Sequence, residues 1–176
     1  MVKINPLYLN EQTIAAARNH FLSQQPKNIQ LQDFLAVAEI SSLSWKKIYE
    51  PEKRKYAEAK YDLPIELIAF ISKIVGKKLR VIYPAAYGFS HGDYTLLQDE
   101  AQPSGILIQL ELTPTWDESW GGYTSFVNES GEVIRITPQG NTLVIVDHAS
   151  KMKHFTKYVN HLSSTHKRVF IQALLK

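Results

Sequence analysis

The sequence predicts an α+β domain in which helices support an antiparallel β-sandwich or barrel. Helix-type patterns dominate residues 1–77, and eight short β-favouring runs separated by Pro, Gly, Asn or Ser follow in residues 78–176. Eight strands after a helical block are typical of a jelly roll with helices covering one sheet. The chain has 176 residues, 44% of them hydrophobic, and no Pro- or Gly-rich linker divides it. We therefore expect one domain, residues 1–176.

Three helices are predicted in the mainly helical support, residues 1–77. Asn10 is a possible N-cap for a helix over residues 10–24, and Asp33 for one over residues 33–43. A third, mostly apolar helix begins at Pro64 and ends at Gly76, because proline suits the first turn and glycine the C-cap. The charged stretch over residues 50–62 is compatible with either helix or loop.

Strand signals fill the predicted β core, residues 78–176. Each run is rich in β-branched and aromatic residues and is bounded by turn formers. The predicted strands span residues 79–83, 91–97, 105–112, 123–128, 132–137, 142–147, 153–160 and 169–174.

Composition excludes several classes of protein. The chain has no cysteine, which excludes disulfides and thiolate zinc sites and fits a cytoplasmic protein. The longest apolar run, residues 65–75, is too short to span a bilayer, and the N-terminus has no signal-peptide pattern, so we expect a soluble protein. The net charge is +3, and the basic residues near 46–55 alternate with glutamates as on a solvated surface. This pattern argues against direct nucleic-acid binding.

His91-Gly92-Asp93 is the stretch with the clearest chemical pattern. On a strand, residues two apart point to the same face, so the imidazole and the carboxylate would supply two ligands of a 2-His-1-carboxylate metal site. A later histidine must supply the third, and the choice lies between His154 and His161. We favour His154, because its strand can continue past the metal and leave His161 to the following turn.

A cation precedes the last predicted strand. Arg168 lies at the start of this strand, next in sequence to the strand that carries His154. A guanidinium at that position could hold a carboxylate through two parallel hydrogen bonds.

Taken together, these residues resemble the iron(II)- and 2-oxoglutarate-dependent oxygenases, and most of all their small prolyl-hydroxylase-like branch. The resemblance extends from about residue 79 to the C-terminus. The motifs that carry it occur in the family's order: His91-Gly92-Asp93, the turn at residues 113–122 with Trp116-Asp117 and Gly121-Gly122, the run at residues 138–146, His154 and Arg168.

This resemblance implies a double-stranded β-helix, the jelly-roll core also found in cupins. His91, Asp93 and His154 would hold iron(II), and the remaining coordination positions would take 2-oxoglutarate and O2. Arg168 would bind the far carboxylate of 2-oxoglutarate, assisted by Tyr83 or, alternatively, Tyr87. The implied activity is a dioxygenase that hydroxylates a C–H bond of a protein or small molecule, with a prolyl residue as one candidate substrate.

Two other functions remain open at this point. One is a non-catalytic β-helix module that binds a partner or ligand, and the other is a cupin-like metal enzyme that does not use 2-oxoglutarate. Two positions differ from the common family pattern: Thr156 stands where a small apolar residue is usual, and Arg168-Val169-Phe170 replaces Arg-x-Ser. An intact metal triad would separate an enzyme from a binding module. The sequence sets neither the substrate nor the oligomeric state.

Overall fold

The computed structural model describes residues 2–38, 43–97, 103–149 and 151–176, and this part of the chain is α+β. Its α-helices are α1 (Glu11–Ser23) and α2 (Ile65–Val75), and 3-10 helices span Pro6–Leu9, Glu118–Trp120 and His161–Ser163. The strands are β1 (Val2–Ile4), β2 (Asn28–Leu31), β3 (Leu35–Ala38), β4 (Lys46–Glu50), β5 (Arg54–Lys60), β6 (Val81–Phe89), β7 (Tyr94–Thr95), β8 (Gly105–Glu111), β9 (Thr124–Asn128), β10 (Gly131–Ile136), β11 (Thr142–His148), β12 (Lys153–Thr156) and β13 (Arg168–Leu175).

Antiparallel pairing organises these strands into three sheets within the described residues. The large sheet has the order β2-β11-β8-β13-β6-β5-β4, and β7 pairs with β5. A smaller sheet has the order β10-β9-β12, and β1 pairs with β3. The large sheet therefore carries Arg168 on β13, whereas His154 lies on β12 of the smaller sheet. Their connection as a double-stranded β-helix stays a prediction.

The two α-helices form where their capping residues predicted them. The Asn10 side chain accepts a hydrogen bond from the backbone N–H of Gln12 at the start of α1. Gly76 ends α2 in the left-handed conformation, with φ of 80°, and its N–H bonds to the carbonyl of Ser72. Buried side chains of both helices belong to one apolar cluster with Ile108 and Ile171 of the large sheet.

The expectation of a mainly helical first part is wrong in two places. Leu35–Ala38 lies in the interval 33–43 that was predicted to be helical, and it forms a strand paired with β1. Asp33 has a φ of 49°, so it lies in a turn and not at a helix cap. Arg54–Lys60 is also a strand, paired with β4 and β6. Long-range pairing decides the conformation of both segments against their local helix propensity.

In the second part the structure reproduces most predicted strands but corrects the first, the second (residues 91–97, of which only Tyr94–Thr95 is a strand) and the seventh. The runs near residues 105–112, 123–128, 132–137, 142–147 and 169–174 are strands β8, β9, β10, β11 and β13. The first predicted strand, residues 79–83, is the start of a longer β6, whose end at Phe89 leaves His91 and Asp93 in a turn before the short β7. The seventh is shorter than expected, since β12 ends at Thr156. In the described residues, no helix has the length and apolarity needed to cross a membrane.

Candidate functional site

A cavity of about 190 Å³ lies between the large sheet and β12. One wall consists of stacked and tilted aromatic rings from β5, β6 and β13, with neighbouring ring centroids 5.4–5.7 Å apart: Tyr56, Tyr87, Phe89 and Phe170. His154 of β12 and Gln172 of β13 supply polar groups, and Arg54 of β5 lines the cavity as well. Rigid strands hold these side chains, so the cavity is preformed.

His154 faces this cavity from β12. Its ring stacks on Phe126 at 5.3 Å and lies 5.5 Å from the ring of His148, nearly perpendicular to it. The His154 Nε2 is 3.4 Å from Nε2 of Gln172. Burial, together with the neighbouring His148, lowers the pKa of His154 to about 3. The imidazole is therefore neutral at physiological pH.

His91 and Asp93 lie in the turn after β6, in a different environment. The Asp93 carboxylate accepts a hydrogen bond of 2.9 Å from the backbone N–H of Ser90, and the Lys55 ammonium is 3.8 Å from it. His91 is exposed, with its ring 6.5 Å from that of Tyr158. Both residues therefore line a cleft at the surface, and neither lines the aromatic cavity.

Backbone hydrogen bonds fix this turn beside Val159. The N–H of Gly92 donates to the Val159 carbonyl at 2.9 Å, and the N–H of Val159 donates to the Asp93 carbonyl at 3.0 Å. His154 lies on β12, which ends at Thr156, and lines the aromatic cavity, whereas His91 and Asp93 line a different cleft. Metal–ligand bonds are only about 2.0–2.3 Å long.

β12 pairs with β9, and Phe126 is the residue in register with His154. The Thr95 hydroxyl, on β7, accepts a hydrogen bond from the Thr156 N–H at 2.6 Å. Within residues 2–38, 43–97, 103–149 and 151–176, no three His, Asp or Glu side chains form a group that could hold a metal ion.

Arg168 begins β13 and is completely buried. Its Nε and Nη2 donate to the same carboxylate oxygen of Glu111, at 3.0 and 2.8 Å. Its Nη1 donates to the Gly122 carbonyl and, at 3.0 Å, to the Thr124 hydroxyl. The guanidinium also lies 4.4 Å above the Phe170 ring. The chain itself thus supplies the carboxylate partner that the sequence predicted for Arg168.

Glu111, the partner of Arg168, is also completely buried, and both of its carboxylate oxygens accept hydrogen bonds. One carboxylate oxygen accepts from Arg168 and, at 3.3 Å, from Gln109, and the other accepts from the Thr113 hydroxyl at 2.6 Å. Sequence reasoning missed Glu111, although a signal was present. Gln109, Glu111 and Thr113 alternate with Ile108, Leu110 and Leu112, which is typical of a strand with one polar interior face.

Of the two tyrosines considered, Tyr87 lies in the aromatic cavity. Burial and the neighbouring Tyr56 raise its pKa, so its hydroxyl stays protonated. Tyr83 is 68% exposed and borders only a second cavity of about 140 Å³, next to His148 and His154. His161, the alternative third ligand, begins a 3-10 helix.

The tryptophan turn holds the chain beyond His154 in place. The Trp116 indole donates to the Gly121 carbonyl at 2.9 Å, and Gly121 forms a β-bridge with Val159. Gly121 has a φ of 74°, and a methyl group there would lie 2.3 Å from the Tyr158 carbonyl oxygen. Only glycine fits this close approach without displacing the backbone.

Replacing Gly121 with Ala is therefore expected to lower the free energy of unfolding by about 2 kcal/mol or more, as measured by urea denaturation. Gly131→Ala is the matched control, because Gly131 also has a positive φ, 112°, but has nothing within 4 Å of the added methyl group. Equal losses in the two variants would contradict a role for the contact with Tyr158.

Comparison with known proteins shows the same fold in several solved structures. An oxidoreductase of the 2OG-Fe(II) oxygenase family from Burkholderia pseudomallei has a TM-score of 0.68 at 11% identity, over 95% of this chain and 92% of that one. A prolyl hydroxylase from Trichoplax adhaerens, in complex with a hypoxia inducible factor peptide fragment, has a TM-score of 0.68 at 13% identity, over 97% and 91%. A prolyl-4-hydroxylase from Pseudomonas putida has a TM-score of 0.64 at 10% identity, over 93% and 98%.

The matches in sequence are weaker. Mouse prolyl 3-hydroxylase OGFOD1 is 29% identical over 84 residues, which are 45% of this chain and 15% of the mouse protein. This chain therefore spans only a small part of that relative's length. No protein-family model matches. The structural matches confirm the predicted resemblance at the level of the fold: the chain has the fold of the 2-oxoglutarate–iron(II) oxygenases and prolyl hydroxylases.

Proposed function

We propose that this chain uses an oxygenase fold, with a double-stranded β-helix core, as a binding module and does not carry out 2-oxoglutarate-dependent hydroxylation. The observation that carries the proposal is the buried pair of Arg168 and Glu111. A diacid can be held by Arg168 only if its carboxylate displaces Glu111 from 2.8 and 3.0 Å hydrogen bonds. Displacement would leave the Glu111 carboxylate buried without its counter-charge, which is unfavourable by several kcal/mol.

The donor set does not fit iron(II) either. Gly92 and Asp93 bond to the backbone of Val159 beside a surface cleft that His91 and Asp93 line, whereas His154 faces the aromatic cavity. Among the described residues, no three His, Asp or Glu side chains form a group that could hold a metal ion. The assignment of His91, Asp93 and His154 as iron ligands thus stays a sequence prediction.

The aromatic cavity suits a small uncharged ligand. Tyr87, Phe89 and Phe170 offer flat apolar surface, and Gln172 and the neutral imidazole of His154 offer hydrogen bonds. The two arginines near the cavity are already paired, because Arg168 is buried against Glu111 and Arg54, which lines the cavity, is bonded to Glu50. An uncharged molecule with a ring and one or two polar groups matches this lining.

A second candidate is the iron(II)- and 2-oxoglutarate-dependent hydroxylation of a C–H bond, with a prolyl residue as a possible substrate. The fold shared with prolyl hydroxylases favours it. This candidate requires that Arg168 leave Glu111 and that the predicted ligands come together around the metal.

An anaerobic titration of metal-free protein with iron(II) and 2-oxoglutarate distinguishes the two candidates. The binding-module proposal predicts no visible charge-transfer band and no 2-oxoglutarate binding by calorimetry at millimolar concentration. A band in the wild type that disappears in His154→Ala and in Asp93→Ala, with both variants folded, would overturn the proposal and establish the oxygenase. His20→Ala, at an exposed position on α1, is the control for the loss of an imidazole.

A further inference from the structure

A further cleft lies at the β4–β5 edge of the large sheet, and Tyr56 lines both this cleft and the aromatic cavity. Its volume is about 270 Å³, and Ala57 of β5 lines it. Ala57 is in register with Lys47 on one side and with Gly88 on the other. Because directly paired residues share a face of the sheet, the small Ala57 side chain leaves a hollow beside Lys47, and the Lys167 side chain crosses Gly88.

Positive charges converge on this hollow from three directions. Lys47 and Lys55 come from β4 and β5, and Lys167 comes from the residue before β13. Exposed His91 borders the cleft as well. The acidic side chain that lines it is Asp93, which is 3.8 Å from the Lys55 ammonium and also accepts the Ser90 N–H. Three lysines, one carboxylate and the side chain of Tyr49 thus line the cleft.

Lys167 is held in place before any ligand arrives. Its ammonium lies 4.0 Å from the centroid of the Trp45 ring, a cation–π contact. Its side chain crosses Gly88 so closely that a methyl group at Gly88 would lie 2.2 Å from Cε of Lys167. Lys167 is half-buried, so its ammonium is partly desolvated and an anion beside it would stabilise the charge.

We propose that this cleft binds the phosphate group of a small phosphorylated molecule. Lysine ammonium groups act as point charges on phosphate oxygens, and several of them around one cleft suit a doubly charged phosphate monoester better than a single carboxylate. Tyr49 lines the cleft beside the lysines and provides ring surface for the rest of the molecule. This assignment does not depend on a ligand in the aromatic cavity.

Calorimetry with inorganic phosphate, ribose 5-phosphate and adenosine monophosphate tests the proposal at low ionic strength. All three are expected to bind, and Lys55→Gln and Lys167→Gln are each expected to weaken binding about tenfold. Tighter binding of adenosine monophosphate would identify a ring-bearing ligand, whereas equal affinities would identify the phosphate alone as the recognised group. Added salt should weaken binding.

Lys46→Gln is the matched control, because Lys46 is exposed on the same strand as Lys47 but points to the other face. It is expected to change the affinity less than twofold. Ala57→Met keeps every charge and places a larger side chain in the cleft that Ala57 lines, so it should abolish binding. No binding of any of the three ligands, or an equal effect of Lys46→Gln and Lys167→Gln, would overturn the proposal.

Discussion

Glu111→Leu is expected to lower the free energy of unfolding by about 3–5 kcal/mol, because it leaves the Arg168 guanidinium buried without a counter-charge. Both side chains are at most 1% exposed, so water cannot replace the lost carboxylate. The double variant Glu111→Leu with Arg168→Met should recover most of this loss, since apolar side chains of similar volume can replace a buried ion pair at little cost. Urea denaturation of the two single variants and the double variant gives the coupling free energy directly.

An exposed ion pair provides the control for this cycle. Glu132 and Arg135 are 2.6 Å apart on β10, in solvent. Glu132→Leu should therefore change the free energy of unfolding far less than Glu111→Leu. A loss of less than about 1 kcal/mol in Glu111→Leu would contradict the importance of the buried pair.

The smaller variant Glu111→Ala links this stability effect to the proposed function. Removal of the carboxylate leaves space next to Arg168, and a soluble carboxylate should occupy it. Millimolar glutarate or 2-oxoglutarate is expected to raise the melting temperature of Glu111→Ala and not that of the wild type. An equal rise in the wild type would mean that Arg168 is accessible to diacids in spite of Glu111, and it would favour the oxygenase.

Much of this fold can be predicted from local sequence patterns, because apolar runs and alternation indicate which residues are buried in the sheets. Strands β8 and β11 alternate or run continuously apolar, and α2 has its glycine C-cap at Gly76. β3 and β5 did not follow from the sequence, since their conformation depends on partners far along the chain. The Asn141 side chain, for example, bonds to both backbone groups of Leu35, 106 residues away.

In the candidate site, too, local sequence predicted the residue types, but the contacts depend on residues far away along the chain. Arg168 was predicted to bind a carboxylate, but the one it contacts belongs to Glu111, 57 residues earlier on the neighbouring strand. His91 and Asp93 have the spacing of a metal-binding strand, but β6 ends at Phe89 and they lie in a turn. A spacing of two residues identifies a shared face only where the backbone is a strand.

Acidification is expected to destabilise this protein through His154, as measured by urea denaturation between about pH 7 and pH 4.5. The pKa of His154 is about 3 in the folded state, against an ordinary value of 6.5 in the unfolded chain. Below about pH 6.5 the unfolded chain takes up a proton at this histidine and the folded chain does not, so the unfolded state is stabilised as the pH falls. Over this range the contribution of His154 is a loss of about 2–3 kcal/mol in the free energy of unfolding.

Replacing His154 with Gln should remove this part of the pH dependence, although it also removes the packing on Phe126 and lowers stability at pH 7. The slope of the free energy of unfolding against pH, and not its value at one pH, is therefore the quantity to compare. Burial lowers the pKa of His148 as well, so a smaller slope of the same sign should persist. An unchanged slope in His154→Gln would mean that the histidine is protonated in the folded protein, and the neutral lining proposed for the aromatic cavity would then be wrong.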